Sequence, residues 1–395
     1  MKKITALLLA LSLALSGCGG LASTAATSSD IITIGVYEPA SGDNASSGRQ
    51  ETLGVQYANS LVNTVEIGGK RYEIRLAIVD NESSVYKGPL VAESLVRLGV
   101  SAVIGSYGSA VSIAASDIFA DAKIPAVCPS CSNPKVTQDS MHYFTLAFLD
   151  PFQGAVLARF AAETLEAKIA YSLAQMGDNY SVDLCDYFRQ TFEALGGKVI
   201  YSTFLQGHTD FSPYFNVAKE VGADVFFAPV SLPPAESIIR QAYARDFEMP
   251  LLAGDSWDSK DILNAAKGTG LDIYIATYFD ESIITDEDSK FVQDFQAWIN
   301  SRPANLKNNG GDDRIAAVSV MGYDAYFVIL EAIKAAGSAE PEAINAALAN
   351  IRHQGVSGQI AFDPTGNALR EVAFIKKMNT ELGRWEVVSV QKLMP

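Results

Sequence analysis

The chain has 395 residues and carries 45 acidic against 30 basic side chains, a formal net charge of −15. This charge argues against nucleic acid and anionic lipid surfaces as partners, because both are bound through clusters of basic side chains. The length exceeds what a single hydrophobic core usually organises and fits two domains of ordinary size.

The N-terminal segment has the pattern of a secretory signal. Two lysines precede an apolar run over residues 4–15, and the sequence LSGC ends at Cys18. The run is shorter than the roughly 20 residues that a membrane-spanning helix needs. We expect residues 1–18 to be a lipoprotein signal peptide and lipobox, with Cys18 lipidated as the mature N-terminus. Residues 19–30 are small and polar, which predicts a flexible tether.

From residue 30 onward, short β-branched runs alternate with amphipathic segments of helix length. The first series predicts strands at IITIGVYEP, IRLAIVDNE, SAVIGS and IPAVCP, with helices over 49–65, 88–98 and 109–121. The second series predicts strands at AKIAYSLAQM, KVIYSTFL, ADVFFAPV and PLLAGDSW, with helices over 152–165, 182–195, 213–221 and 234–244. Such alternation favours crossover units, and therefore two doubly wound α/β halves with parallel sheets.

The C-terminal third is predicted to form helices first and strands after them. After the apolar strand LDIYIATYF, the pattern predicts helices over 288–301, 314–336 and 341–351. The last forty or so residues return to strand patterns, at QIAFDP, EVAFIKKMN and WEVVSVQKL.

Candidate ligand contacts follow the predicted strands, because ligands of doubly wound sheets bind at the carboxyl ends of the strands. Ser109 opens the helix after SAVIGS, where its hydroxyl and the first free N–H groups suit a carboxylate; the alternative is an ordinary helix cap. Ser130, Cys131 and Ser132 follow IPAVCP and suit a second carboxylate contact. Asp255 follows LLAG and suits an ammonium group. The alternative, for the Ser130–Ser132 loop and for Asp255, is an ordinary loop that contacts no ligand.

The sequence matches the common motifs of enzymes poorly. The three histidines have no metal-ligand spacing, and the sequence contains no motif for phosphate binding, metalloproteases or serine hydrolases. Cys128 and Cys131 have the spacing of a redox pair but end a strand instead of opening a helix. Apart from Cys18 there are three cysteines, an odd number that does not indicate a disulfide framework. Asp312 and Asp313 are interpreted as a solvated loop. We expect no enzymatic activity, no metal and no cofactor.

Together these segments resemble the periplasmic-type solute-binding proteins of ABC transporters that bind leucine, isoleucine and valine. The resemblance rests on IGVYEPASG, AVIGSYGSAVSIAASDIFADAKIPAVCPS, MGDNYS, GYDAYFVILEAIKAAG and GQIAFDPTGN, in order and spacing. It implies the type I periplasmic binding fold, in which two lobes joined by three crossings close on the ligand. The crossings are expected near Thr145, Thr277 and Val356. Lobe 1 then comprises 31–145 with 277–356, and lobe 2 comprises 146–276 with 357–395.

The resemblance also implies a site for the backbone of an α-amino acid. Ser109 matches the family serine that binds the α-carboxylate. Ser130 matches the residue whose carbonyl takes the ammonium group, and Ser132 matches a hydroxyl residue that takes the carboxylate, with Cys131 between them. Asp255 matches the family's acidic partner of the ammonium group, one methylene shorter than the glutamate of leucine binders.

The side-chain pocket is less conserved than the backbone site in this comparison. Tyr180 matches the family's tyrosine in the far lobe, and Tyr107 falls where an aliphatic residue lines the pocket. Ser47 and Ser231 stand where the family has aromatic residues, so two pocket walls are changed. Trp257 is either a wall of the pocket or an anchor in the core. Tyr107 and Trp257 favour a large or aromatic ligand side chain, whereas Ser47 favours a polar one.

The resulting hypothesis is an exported, lipid-anchored, monomeric receptor that binds a branched-chain or other α-amino acid. It would deliver this ligand to the permease and ATPase subunits of an ABC importer. One alternative is a sensory or regulatory receptor of the same fold. Another is a binder of amides, urea or aromatic acids.

Overall fold

The computed structural model describes residues 30–281, 284, 289–370 and 372–392. The predicted signal peptide, Cys18 and all of the tether except Asp30 lie outside the described residues. None of the helices in these ranges has both the length and the apolar composition that crossing a membrane requires.

The first sheet contains six strands in the order β2-β3-β1-β4-β5-β6. Their bounds are β1 (Asp30–Val36), β2 (Thr64–Ile67), β3 (Lys70–Ile78), β4 (Ala102–Ile104), β5 (Ala126–Cys128) and β6 (Tyr143–Thr145). Only β2 is antiparallel to its neighbour; the other pairs are parallel. The connecting helices are α1 (Ala45–Leu61), α2 (Lys87–Leu98), α3 (Ser109–Asp121) and the short α4 (Lys135–Gln138).

The second sheet is formed mainly by the middle of the chain. Its parallel strands are β7 (Ile169–Gln175), β8 (Lys198–Phe204), β9 (Val225–Phe227), β10 (Leu251–Ala253) and β11 (Ile273–Thr277). The helices of this half are α5 (Asp150–Arg159), α6 (Asn179–Ala194), α7 (Ser212–Glu220), α8 (Leu232–Ala244) and α9 (Lys260–Ala266). A π-helical turn over 160–164 extends α5.

The chain then returns to the first lobe through four helices and a hairpin. These are α10 (Ser289–Asn300), α11 (Pro303–Asn308), α12 (Ala317–Ala336), α13 (Pro341–Leu348), β12 (Arg352–Gly355) and β13 (Gly358–Ala361). Two final strands, β14 (Val372–Asn379) and β15 (Arg384–Lys392), complete the second sheet in the order β15-β14-β11-β10-β9-β7-β8. The predicted class, two doubly wound α/β lobes, is confirmed; among the described strands, antiparallel pairing is confined to β2, to β14 and β15, and to the β12–β13 hairpin.

Close packing of α12 on α1 attaches the returning helices to lobe 1. A Cβ atom on Gly54 would lie 1.8 Å from the carbonyl oxygen of Ser319. A Cβ atom on Gly322 would lie 2.3 Å from the carbonyl oxygen of Glu51. Both positions require glycine, because the two helix backbones approach too closely for a larger residue. This contact fixes α1, whose N-terminus directly follows the lining residues Asp43 and Asn44.

The third crossing between the lobes lies later than the predicted Val356. The hairpin packs on α12, and the N–H of Val356 donates to Asp324 Oδ1 at 3.0 Å. Asn367 forms a parallel bridge with Thr145 at the edge of the first sheet. Residues 357–368 therefore lie with lobe 1, and the chain enters the second sheet only after Arg370, whose Nε donates to the carbonyl of Leu146 at 2.9 Å.

Both boundaries of the first predicted helix are wrong, since α1 begins at Ala45 and not at residue 49. The helix expected over 49–65 ends at Leu61, because Thr64 and Val65 belong to β2. Gly68 and Gly69 both have positive φ and form the turn that pairs β2 with β3. The β-branched residues continue the apolar pattern of α1 but favour an extended backbone.

Candidate functional site

A cavity of about 430 Å³ lies between the lobes at the carboxyl ends of their strands. Both lobes contribute to its walls. Seven of the ten predicted ligand contacts line it: Tyr107, Ser109, Ser130, Ser132, Tyr180, Ser231 and Asp255. The structure therefore brings together the serine loops of lobe 1 and the acid of lobe 2, which sequence alone could not place opposite each other.

The other three predicted contacts lie behind the cavity lining. Trp257 is fully buried in the core of lobe 2, and its indole Nε1 donates to the carbonyl of Val230 at 3.1 Å. It is a core anchor and not a pocket wall, because the 3₁₀ turn Asp255–Trp257 directs its ring into the core. Cys131 is buried with the lobe 1 core. Ser47 is buried in α1 beside Tyr107.

Ser109 lies at the start of α3, directly after β4 and its loop. Gly108 precedes it with φ of +96°, a conformation that favours glycine and turns the chain into the helix. The first N–H groups of a helix have no partner within it and carry partial positive charge. Together with the Ser109 hydroxyl they form a site for a ligand carboxylate.

The second serine loop is held by a disulfide between Cys128 and Cys131. The odd number of cysteines did not predict this pair. It is local, since Cys128 ends β5 and the chain turns back at once, leaving a Cα–Cα distance of 5.6 Å. Both cysteines are buried, so the disulfide supports the loop between them. Cys185 is the free, buried cysteine among the described residues.

Ser130 and Ser132 flank Cys131 and differ in their hydrogen bonds. The Ser130 hydroxyl is buried near Glu51, whose pKa it lowers, but the two side chains do not form a hydrogen bond of ordinary geometry. The carbonyl of Ser132 accepts from the N–H of Asp150 at 2.7 Å, where α5 of lobe 2 begins. The loop therefore presents one hydroxyl without an ordinary hydrogen bond and is tied to the first crossing.

Asp255 lies immediately after β10 and is buried. Gln153 Nε2 donates to its Oδ1 at 2.7 Å, and the Tyr180 hydroxyl donates to the same oxygen at 3.0 Å. Burial raises the pKa of Asp255 to about 6, although both hydrogen bonds lower it. Gln153 was not predicted, because it lies within α5 and not in a loop after a strand. Two neutral donors orient the carboxylate but do not neutralise it.

Two further buried acids lie beneath the lobe 1 wall, and both were missed. Glu38 follows β1, and its Oε2 accepts from the N–H of Tyr107 at 2.5 Å. Burial raises the pKa of Glu38 to about 7. Burial and the neighbouring Glu38 raise the pKa of Glu51, which projects from α1. The position of Glu38 after a strand was the available signal; Glu51 lies inside a predicted helix and gave none.

Asp178 lies between β7 and α6 and also lines the cavity. Burial raises its pKa to about 6, and its Oδ2 atom is buried with no hydrogen-bond partner. The described lining residues include four acids, Asp43, Glu82, Asp178 and Asp255, but no lysine, arginine or histidine. Across the described ranges no group of three or more side chains is arranged to hold a metal ion.

The lobes touch each other at the edge of the cavity. Asn133 Nδ2 donates to Asp183 Oδ2 at 2.8 Å and to the carbonyl of Asn179 at 3.2 Å. Lys135 Nζ lies 2.7 Å from the same carboxylate of Asp183. These contacts join the second serine loop and α4 of lobe 1 to α6 of lobe 2, so the structure has a closed cleft.

Comparison with known proteins extends over both lobes. A family profile described as periplasmic binding protein matches residues 31–380. The Leu/Ile/Val-binding protein homolog 1 of Brucella melitensis is 27% identical over 344 residues, covering 85% of this chain and 87% of that protein.

Solved structures show the same architecture. The leucine binding protein LivK of Thermotoga maritima has a TM-score of 0.82 at 29% identity, covering 91% of this chain and 99% of that one. A solute binding protein of an ABC transporter from R. palustris, in complex with benzoate, has a TM-score of 0.80 at 20% identity, covering 92% and 98%. Proteins of this architecture thus hold chemically different ligands.

Proposed function

Because the chain belongs to the periplasmic binding protein family, whose members bind solutes and are not enzymes, we propose that it captures an α-amino acid between its lobes. The single observation that carries this proposal is the buried carboxylate of Asp255 in a cavity whose described lining has no basic side chain. A buried charge needs a counter-charge, and the ammonium group of the ligand supplies it.

The opposite wall suits the other end of a zwitterion. The start of α3, the Ser109 hydroxyl and the serines of the second loop offer hydrogen-bond donors to a carboxylate. Charge-assisted hydrogen bonds to a carboxylate are among the stronger ones that proteins make. A monocarboxylate without an amine would satisfy this wall but leave Asp255 without a counter-charge. This favours an amino acid over an aromatic acid.

The ligand would then be handed to the permease and ATPase of an ABC importer, with the protein acting as a monomer tethered through lipid on Cys18. The N-terminal LSGC sequence and the apolar run before it support the anchor. The contacts of Asn133 and Lys135 with Asp183 support a closed form that a permease can distinguish from an open one. Ligand that binds the closed form more tightly shifts the population toward it.

A thermal-shift screen of the purified protein against the standard amino acids, benzoate, acetamide and urea tests this proposal. A ligand at about a hundred times its Kd adds nearly 3 kcal/mol to the free energy of unfolding, enough for a clear shift. We expect one or a few amino acids to shift the protein. For the strongest of them, the analogues lacking the amine or the carboxylate should give no shift. Stabilisation by benzoate, acetamide or urea with none by any amino acid would reject the proposal.

A further inference from the structure

We propose that the preferred ligand is an amino acid with a positively charged side chain, and that Asp178 receives this second charge. The inference rests on the proposed function, because it assumes that Asp255 takes the α-ammonium group. It adds the substrate class and a specificity-determining residue.

The charge of the cavity points to a ligand with a net positive charge. Asp178 and Asp255 both line the wall of lobe 2, and Asp43 lies on the lobe 1 side; Glu82, the fourth acid of the lining, is already paired with Lys87. The nearby cation Lys135 is already paired with Asp183, outside the lining residues. One ammonium group compensates Asp255 and leaves Asp178 without a counter-charge.

Asp178 has the geometry of an unfilled hydrogen-bond acceptor. It occupies the loop between β7 and α6, one of the carboxyl-end loops at which doubly wound sheets bind ligands. Its Oδ2 atom is buried and accepts no hydrogen bond from the described residues. A buried carboxylate oxygen without a partner is costly, so a donor on the ligand would remove that cost.

Besides apolar residues such as Met176 and Val111, the cavity lining contains several polar side chains. Gln175, Gln206 and Ser231 line the cavity from lobe 2, and Asn44 lines it from lobe 1 with its Oδ1 atom unpartnered. An aliphatic side chain would bury these groups and give them no hydrogen bonds. A side chain ending in an ammonium or guanidinium group has three to five N–H donors for them. This distinguishes a basic amino acid from leucine.

Calorimetric titration at pH 7.5 with lysine, arginine, leucine and Nε-acetyl-lysine tests the inference in the native protein. We expect lysine or arginine to bind at least about tenfold more tightly than leucine, since a desolvated charge pair is gained. Nε-acetyl-lysine keeps the length of lysine but loses the charge, and should bind about as weakly as leucine. This comparison needs no variant and does not depend on whether a substitution folds.

The variant Asp178→Asn then tests the residue. It should lower the affinity for the basic amino acid about tenfold or more and change the affinity for leucine little. Asp186→Asn is the matched control, because it makes the same substitution in α6 at an exposed carboxylate that pairs with Arg189 outside the cavity lining. It should leave the ratio of the two affinities unchanged.

Each contrary result has a distinct meaning. Tighter binding of leucine than of lysine and arginine would overturn the inference and leave the proposed function standing. Equal losses for leucine and lysine in Asp178→Asn would reject Asp178 as the specificity-determining residue. The failure of every amino acid to bind, with binding of benzoate or acetamide, would reject the proposed function itself.

Discussion

Two cavities of the described structure lie between the lobes, and they differ in whether their buried acids have basic partners. The ligand cavity described above has acids but no basic side chain in its described lining. The second cavity, about 630 Å³, lies beside the second crossing, and we call it the hinge-side cavity. Its lining includes Lys376, 3.0 Å from both Asp258 and Asp280, and Lys260, 2.7 Å from Asp312.

The difference shows which buried acids have a basic partner within the protein. At Asp312 burial raises the pKa, but hydrogen bonds from Lys260 and Arg314 outweigh it and hold the pKa below its usual range. At Asp255 and Asp178 burial prevails, and each pKa rises to about 6. In the hinge-side cavity Asp258, Asp280 and Asp312 therefore have lysine partners within the protein, whereas Asp255 and Asp178 in the ligand cavity have no cationic partner among the described lining residues. The two sites predict opposite consequences for charge removal, in stability at one and in affinity at the other.

The largest expected effect is on stability, in the variant Lys376→Met. Lys376 is buried in β14, and its loss leaves Asp258 and Asp280, with only 10% and 13% of their side chains exposed, without the cation that they share. Breaking a buried ion pair from one side typically costs about 3 to 5 kcal/mol. Urea unfolding should show this loss. The adjacent Lys377→Met is the control, since Lys377 pairs with Asp272 at the surface and should cost less than about 1 kcal/mol.

The second effect is on affinity, in the variant Asp255→Ala. The ligand ammonium would then be buried without a counter-charge, and binding should weaken by about 3 kcal/mol, on the order of a hundredfold. The free energy of unfolding of the free protein should not fall comparably, because Asp255 has no cationic partner among the described residues. Titration calorimetry measures the first quantity and urea unfolding the second. Unchanged affinity would show that Asp255 does not bind the ligand, and the proposed contrast between the two cavities would then be wrong. Asp272→Ala, at the surface, is the affinity control.

The sequence predicted the two lobes because helix and strand periodicities alternate clearly along it. It did not predict β2, since Thr64 and Val65 continue the apolar pattern of α1 without a break. The family resemblance placed the third crossing near Val356, too early in the chain. Only the buried contact with Asp324 shows that the turn at residues 356–358 remains in lobe 1.

Some residues of the candidate site could be predicted from the sequence and others could not. Ser109 and Asp255 could be predicted, because both directly follow strands, and the carboxyl ends of parallel strands meet at one edge. Glu51 and Gln153 could not, because they reach the cleft region from helices whose packing the local sequence does not specify. Trp257 lies two residues from Asp255, yet one 3₁₀ turn separates the cavity from the core.

The smallest expected effect is a pH dependence of binding that separates the two cavities. Asp255, whose pKa burial raises to about 6, must be ionised to bind an ammonium group. Below pH 6 the free protein holds a proton there that the ligand must displace, so affinity should be about tenfold weaker at pH 5 than at pH 7.

The contribution of Asp255 to folding has the opposite sign. Because the folded-state pKa is above the unfolded value, its stabilising contribution is fully present below about pH 4 and is lost as the pH rises through 6. The groups that interact with this carboxyl are neutral or acidic, namely Tyr180, Gln153, Tyr107, Glu51, Asp150 and Asp258. Because none of them is basic, burial shifts the pKa of Asp255 upward. Calorimetric titrations from pH 5 to 8, with Asp255→Asn as the control, measure the effect. The variant should show less of the decline; an equal decline in both proteins would assign the titration to another acid, such as Asp178.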